Sequence, residues 1–429
     1  MISLVLLMLV GGCAGPVRQP AVPAQLTQQV TVLGIPTARF WADTDGPAMV
    51  REAIEAMARE RRAAGEAASP GQPLPPANYL ALSGGSDNGA FGAGLLNGWT
   101  QTGTRPSFKL VTGISTGALI APFAFLGPGY DQQLRQLYTG IGPRDVYERR
   151  SLYTVVFSDA FTDTAPLFQL ISRYANEDML AAIAREYARG RLLLIGTTNL
   201  DVQRPVIWNI GAIAASGKPG ALDLFRKILL ASASIPGAFP PVLIDVAAGG
   251  QHYQEMHVDG GAVAQVFLYP AQVGVIGNKR EAFPRERHAY VIRNARLDPE
   301  WASVDRRLLS ITGRAISTMI YYSGYNDVVR IYFTTQQDGV DYNLAYIGRD
   351  FTTERRQDFD RAYMQSLFDY GYRQGRFGNP WRKAPPIIEE PDGREMLSPE
   401  VTPGNKPVTS QSELSARPAQ SEVRQTATN

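Results

Sequence analysis

The chain of 429 residues has one cysteine, Cys13, and three histidines, His252, His257 and His288. A single thiol excludes an intramolecular disulfide and any site built from several cysteines. The histidines are scattered, and neither a metal-ligand cluster nor a calcium loop can be read around them, so no metal or cofactor is expected. Charge of one sign is also missing. The formal net charge is +2, from 42 Lys and Arg against 40 Asp and Glu, with no basic block, which argues against nucleic acid as a partner. Nor does the N-terminal apolar run of residues 1–12 reach the roughly 20 residues a membrane-spanning helix needs. What remains is a chain with 44% hydrophobic residues, ample for a large core.

The position of the lone cysteine is informative. Residues 1–12 are apolar and end in small residues, and Val10-Gly11-Gly12-Cys13 resembles a bacterial lipoprotein lipobox. That resemblance implies a signal segment at 1–12, lipidation at Cys13 and a place in the bacterial cell envelope. Several acyl chains at about 0.8 kcal/mol per buried CH₂ would hold the protein at a membrane. Ala14 after the cysteine, rather than Asp, favours the outer membrane by the same resemblance.

Residues 13–75 read as a tether followed by one amphipathic surface helix, Ala48 to Ala68. A domain over 76–382 follows, with strands expected at Asn78–Ser83, Phe108–Val111, Arg191–Asn199, Arg204–Asn209, Ala289–Arg293, Val328–Phe333 and Asp341–Ile347. Helices are expected at Ala118–Leu126, Asn176–Arg189, Ala221–Ala231, Val304–Tyr322 and Arg355–Gly375. In the Val304–Tyr322 helix the apolar positions are Leu308, Ile311, Ala315, Ile316 and Met319. The stretch Gly127–Phe168 reads as irregular, and within it Tyr153–Phe161 carries apolar residues that could cover a lipid-binding cleft or simply pack as an insertion. Residues 383–429 are polar, rich in Pro, Ser, Thr, Glu and Gln, and read as a disordered tail. The alternation of strands and helices predicts an α/β fold, three-layer α/β/α with a mainly parallel central sheet.

Three stretches carry chemistry. Val111-Thr-Gly113-Ile-Ser115-Thr-Gly117-Ala118 reads as a strand turning sharply into a helix with Ser115 at the apex, a nucleophile-elbow context. Ser83-Gly84-Gly85-Ser86-Asp87-Asn88-Gly89 is a glycine-rich turn between strand and helix, whose amides can converge on an anion. Its spacing matches neither the dinucleotide nor the Walker pattern, which leaves an oxyanion loop or a tight packing turn. His257-Val258-Asp259-Gly260-Gly261 puts a carboxylate at a strand end before an open loop. A bare Asp-Gly turn is the other meaning of those letters.

Taken together and in order, these motifs and Ala231-Ser-Ala-Ser-Ile-Pro-Gly-Ala-Phe-Pro-Pro-Val242 resemble the patatin-like phospholipase family. The resemblance implies that Ser115 is a nucleophile and Asp259 its general base, a dyad without histidine. The amides of Gly84, Gly85 and Ser86 would face the oxyanion, with Gly89, Gly113, Gly117, Gly260 and Gly261 as elbow and motif glycines. It also implies a lipid or acyl-ester substrate and metal-independent acyl transfer. Two positions depart from the family: Ser86 stands where a third glycine is usual, and Asn88 where a basic residue is usual. Two other readings use the same residues. One is an α/β-hydrolase triad, for which His288 is the histidine that follows Asp259; the other is an inactive lipid-binding envelope lipoprotein. The sequence leaves head group, acyl chain and oligomeric state open.

Overall fold

The computed structural model describes residues 18–65, 74–149, 162–269 and 285–388. The expected signal segment at 1–12 with Cys13, the stretch Tyr153–Phe161 and the expected tail from residue 389 on lie outside the described residues. One compact unit runs to Ile387.

Its frame is a nine-stranded sheet: β1 (Arg39–Trp41), β2 (Ala77–Leu82), β3 (Phe108–Ile114), β4 (Leu192–Asn199), β5 (Arg204–Asn209), β6 (Val242–Ala248), β7 (Gln251–Asp259), β8 (Arg287–Arg293) and β9 (Asp341–Tyr346). The main path is β1-β5-β4-β3-β2-β8-β9, with β7 joining β4 and β6. Along the path β4-β3-β2-β8-β9 the strands are parallel, whereas β1, β5, β6 and β7 are held by antiparallel ladders. The fold is thus mixed α/β, a central sheet flanked by helices.

Both faces of the sheet are covered, which is why its strands read as apolar runs rather than alternating ones. Val111, Leu193 and Ile195 belong to the large core with Leu80 and Leu82. The intervening Leu110 and Leu194 pack on the other face with Phe40, Met49 and Ile207. Among the described residues the α-helices of six or more residues are α1 (Gly46–Ala64), α2 (Gly89–Thr100), α3 (Thr116–Leu126), α4 (Asp131–Thr139), α5 (Ala165–Tyr174), α6 (Glu177–Ala188), α7 (Ile210–Ala215), α8 (Ala221–Ser232), α9 (Leu308–Asp338) and α10 (Arg361–Phe377). α2 is apolar all round and buried, with glycines that admit α10 at backbone distance: a Cβ on Gly94 would lie 2.0 Å from the Phe368 carbonyl oxygen.

Several sequence expectations are corrected. The segment read as a tether packs on the domain from Arg18 onward. Arg18 forms a two-pronged ion pair with Asp201 at 2.8 and 2.9 Å, Thr31 pairs with Ala247, and Val22, Val32 and Ile35 are buried. These apolar residues have no helical or strand period, so composition alone does not reveal their docking. The expected strand Val328–Phe333 is the continuation of α9, because Val328, Ile331, Tyr332 and Thr335 fall on one helical face and are buried there. The stretch Gly127–Phe168 contains α4 and the start of α5. α10 begins at Arg361, where the Asp360 carboxylate accepts from the Ala362 and Tyr363 amides at 3.0 and 3.4 Å. The expected tail starts late: Arg382 pairs with Leu344, and Lys383 reaches Asp341 at 2.7 Å.

Candidate active site

β3 ends at Ile114, and the next residue leaves the sheet at once. Ser115 has φ +56° and ψ −127°, a conformation costly for any residue with a side chain, and α3 begins at Thr116. The flanking glycines permit the turn. A Cβ on Gly113 would meet the Gly117 carbonyl oxygen at 2.5 Å, and one on Gly117 would meet that of Leu82 at 2.3 Å. The Ser115 amide donates to the Ser232 hydroxyl at 3.0 Å, which donates to the Gly196 carbonyl at 2.7 Å. The serine is therefore pinned to β4 while remaining 7% exposed.

Register on β4 puts the acid beside it. The β3 ladder finishes at Ile114 opposite Gly196, and on the next β4 residue, Thr197, the partner is Asp259 of β7. β7 thus takes the place beside β4 that β3 vacates when it turns into the elbow. The Asp259 amide donates to the Ser234 carbonyl at 2.9 Å, so the 231–242 motif holds both partners: Ser232 fixes the serine and Ser234 the aspartate. The Asp259 carboxylate accepts from the Gly261 amide at 2.7 Å. Burial pushes this carboxyl up to about 7, and the nearby Ser115 side chain and the Gly261 amide, which favour its charged form, offset only part of that effect.

The glycine-rich turn faces the same point. A Cβ on Gly84 would lie 3.2 Å from the Ser115 Cβ. The three expected amides are not equivalent, however. That of Gly84 is consumed by the Gln265 carbonyl at 2.9 Å, whereas those of Gly85 and Ser86 have no acceptor among the described residues. The expectation of three free donors is corrected to two. Gly85, at φ +155°, passes so close to β8 that a Cβ would lie 2.0 Å from the Asn294 carbonyl oxygen. Ser86 keeps φ +54°, a left-handed conformation that a glycine would hold with less strain. Gly89 abuts Thr116 and Tyr138, and Gly260 opens the short 3₁₀ turn after Asp259.

Residues that sequence reasoning missed hold the loop. Asn294 donates to the Ser83 carbonyl at 2.9 Å and accepts from the Gly92 amide at 3.1 Å. Gln265 donates to the Gly261 carbonyl at 2.8 Å, and its own amide donates to Asp327 of α9 at 2.6 Å. Arg293, almost fully buried, reaches the Gly84 carbonyl at 3.4 Å while its Nε has no partner. Desolvation lowers its guanidinium to about 10, against the pull of Asp327. Of these, only the strand-end position of Arg293 and Asn294 was visible beforehand. Asn88 accepts from the Tyr363 hydroxyl at 2.7 Å, and the buried Asp87 pairs with Arg355 at 3.0 Å.

The histidines stand elsewhere. His288 is at the start of β8, in register with Asn78 and Asp341, the strand end opposite to the one Ser115 follows, and it pairs with Asp341 at 3.1 Å. His257 is wedged between Thr197 and Glu255, at 3.0 and 3.1 Å. His252 is exposed near the start of β7. None is hydrogen-bonded to Ser115 or Asp259 among the described residues, where no group of three or more His, Cys, Asp or Glu could hold a metal ion.

Residues 80–271 match the family model described as patatin-like phospholipase. No curated protein is matched by the chain. Among solved structures, the crystal structure of VipD from Legionella pneumophila is similar at 12% sequence identity with a TM-score of 0.34; the match covers 70% of this chain and 66% of that one.

Proposed function

We propose, from the match of residues 80–271 to the patatin-like phospholipase model, a family of lipid acyl hydrolases, that the chain is a serine hydrolase of the phospholipase A or lipid esterase type, working through Ser115 and Asp259. The observation that carries this reading is that β3 ends in the Ser115 elbow opposite Gly196 while Asp259 pairs with the next β4 residue, Thr197, as a buried carboxyl raised to about 7. An ordinary aspartate, near 3.9, is too weak a base to activate serine, whereas one raised toward the working pH is matched to the task.

In the first half-reaction Asp259 takes the Ser115 proton as the serine oxygen attacks the ester carbonyl carbon. The oxyanion that develops is met by the free Gly85 and Ser86 amides and by the N-terminal end of α3. Collapse expels the alcohol, which takes the proton back from Asp259 and leaves an acyl-enzyme. Water, deprotonated by Asp259, then attacks the acyl carbon; as the bond to the Ser115 oxygen breaks, that oxygen takes the proton back from Asp259 and the fatty acid is released. A positioned base contributes about 10²–10⁴-fold and each oxyanion donor about 10²–10³-fold.

Replacing Ser115 by Ala or Asp259 by Asn removes ester turnover, by at least about 10²-fold, in an assay with a soluble short-chain ester. A fluorophosphonate probe labels the parent at Ser115 and leaves the Ala variant unlabelled. Retained turnover in either variant, or a folded parent that takes no label, overturns the assignment. The reading includes a lipid anchor at Cys13 in the cell envelope; metabolic labelling with a fatty-acid analogue that is lost in Cys13→Ser supports it, and labelling that persists in Cys13→Ser refutes it.

A further inference from the structure

α9 is longer than the sheet it covers. Its 31 residues span about 46 Å at 1.5 Å per residue, against about 26 Å for the eight residues of β4. Because it connects the parallel neighbours β8 and β9, it runs back from the strand ends toward the strand starts. Its level is fixed at the active site: Gly324 lies against the Arg293 guanidinium, and Asp327 holds the Gln265 and Val266 amides beside the oxyanion loop. From there onward Val328, Ile331, Tyr332 and Thr335 are buried. The preceding residues, Leu308 to Ser323, overhang the site edge of the sheet by about 24 Å.

This overhang is apolar and bare. Leu308 is 80% exposed, Met319 71%, and Ile311, Ile316 and Tyr322 about half, while Trp301 just before the helix is 90% exposed. At about 100° per residue, Leu308, Ile311, Ala315, Ile316, Met319, Ile320 and Tyr322 occupy one half of the circumference, with Ser310, Gly313, Arg314 and Ser317 opposite. An isolated helix of this length is marginal in water, and a contiguous apolar surface of this kind marks an interaction site.

We propose that the overhanging half of α9, with Trp301 and Val304, seats on an anionic phospholipid surface and presents the Ser115 site to it. The inference rests on the lipid acyl hydrolase reading. Charge complementarity favours lipid. In the stretch 301–323 the cations are Arg306, Arg307 and Arg314, and the single carboxylate is Asp305. The nearby Asp298 and Glu300 pair with Arg349 and Arg296 instead, and neither Arg306 nor Arg307 has an ion-pair partner among the described residues. An apolar half-cylinder with Trp and Tyr at its margins and arginines at its base fits the plane of a headgroup boundary. A seam for a second copy of the chain would be narrower. No helix among the described residues is long and apolar enough to cross a membrane, so the mode is lying on the surface.

The test uses the full chain with Cys13→Ser, so that no acyl anchor contributes, and sedimentation with phosphatidylcholine vesicles with or without phosphatidylglycerol. The parent binds the anionic vesicles more tightly than the zwitterionic ones. Leu308→Glu with Met319→Glu lowers that binding by about tenfold or more, and Arg306→Glu with Arg307→Glu lowers it on anionic vesicles alone. Both double variants hydrolyse the soluble short-chain ester within about twofold of the parent, which also shows that they are folded. Equal vesicle binding by parent and apolar-face variant overturns the proposal, as does a parent dimer in solution that this variant converts to monomer. Ser115→Ala binds vesicles like the parent. Binding without any hydrolysis by the parent would defeat the hydrolase reading and leave the surface assignment standing.

Discussion

Glu255 and Asp259 lie on the same face of β7, four residues apart and almost equally buried, yet their carboxyls are driven in opposite directions. Burial raises both. At Glu255 the hydrogen bond from His257 and the charge of Arg39, which also bonds it directly, overcome burial and bring the carboxyl to about 2. At Asp259 the opposing partners are a hydroxyl and one amide, neither of them charged, and burial wins at about 7. Burial acts on both carboxyls; the charged partner makes the difference. One acid is thereby a permanently ionised strut and the other is kept able to exchange a proton.

The contrast can be broken from either side. The largest effect is expected from Glu255→Gln, which leaves Arg39 buried without its counter-ion and destabilises the fold by about 3 kcal/mol in urea unfolding. Asp259→Asn has the opposite sign. A carboxyl whose folded value exceeds its unfolded one stabilises fully below the unfolded value, and that contribution is lost as pH rises through about 7. Removing the charge therefore stabilises the protein by about 1–3 kcal/mol at pH 8, while abolishing turnover. The gain disappears when both forms are neutral, below about pH 4. For Glu255 the window is reversed: its contribution is present above its unfolded value and is lost only as pH falls through about 2. A variant of Asp259 less stable than the parent at pH 8 would contradict the assigned environment.

The smallest effect per step is in the rate. With Asp259 as the base, kcat/KM on a soluble ester rises about tenfold per pH unit below 7 and levels above it. A profile flat from pH 5 to 8 would mean that the proton acceptor is some other group.

How legible this was from the sequence depends on range. The elbow was readable because Gly113, Ser115 and Gly117 satisfy a constraint contained within five residues. The strands β2, β3, β4 and β8 were readable because double-sided burial imposes apolar runs. The Val328–Phe333 stretch misled because β-branched and aromatic residues suit strands and a buried helix face equally; only the partners of Val328 and Ile331 decide. The glycine-rich turn before α2 was readable, but not its division into used and free amides, since the Gly84 amide is spent on Gln265, 181 positions away in the chain.

By itself, the sequence determined the local chemistry: a serine forced to a turn apex, a glycine-rich loop before it and an aspartate before Gly260-Gly261. Each follows from backbone sterics acting over a few neighbours. Tertiary structure alone decided that Ser115 and Asp259 follow one another along β4, because that depends on β7 pairing with β4 one residue beyond the end of β3. It also decided that the carboxyl sits near 7 and that half of α9 has nothing beneath it among the described residues, since desolvation and packing belong to the surroundings a residue acquires on folding.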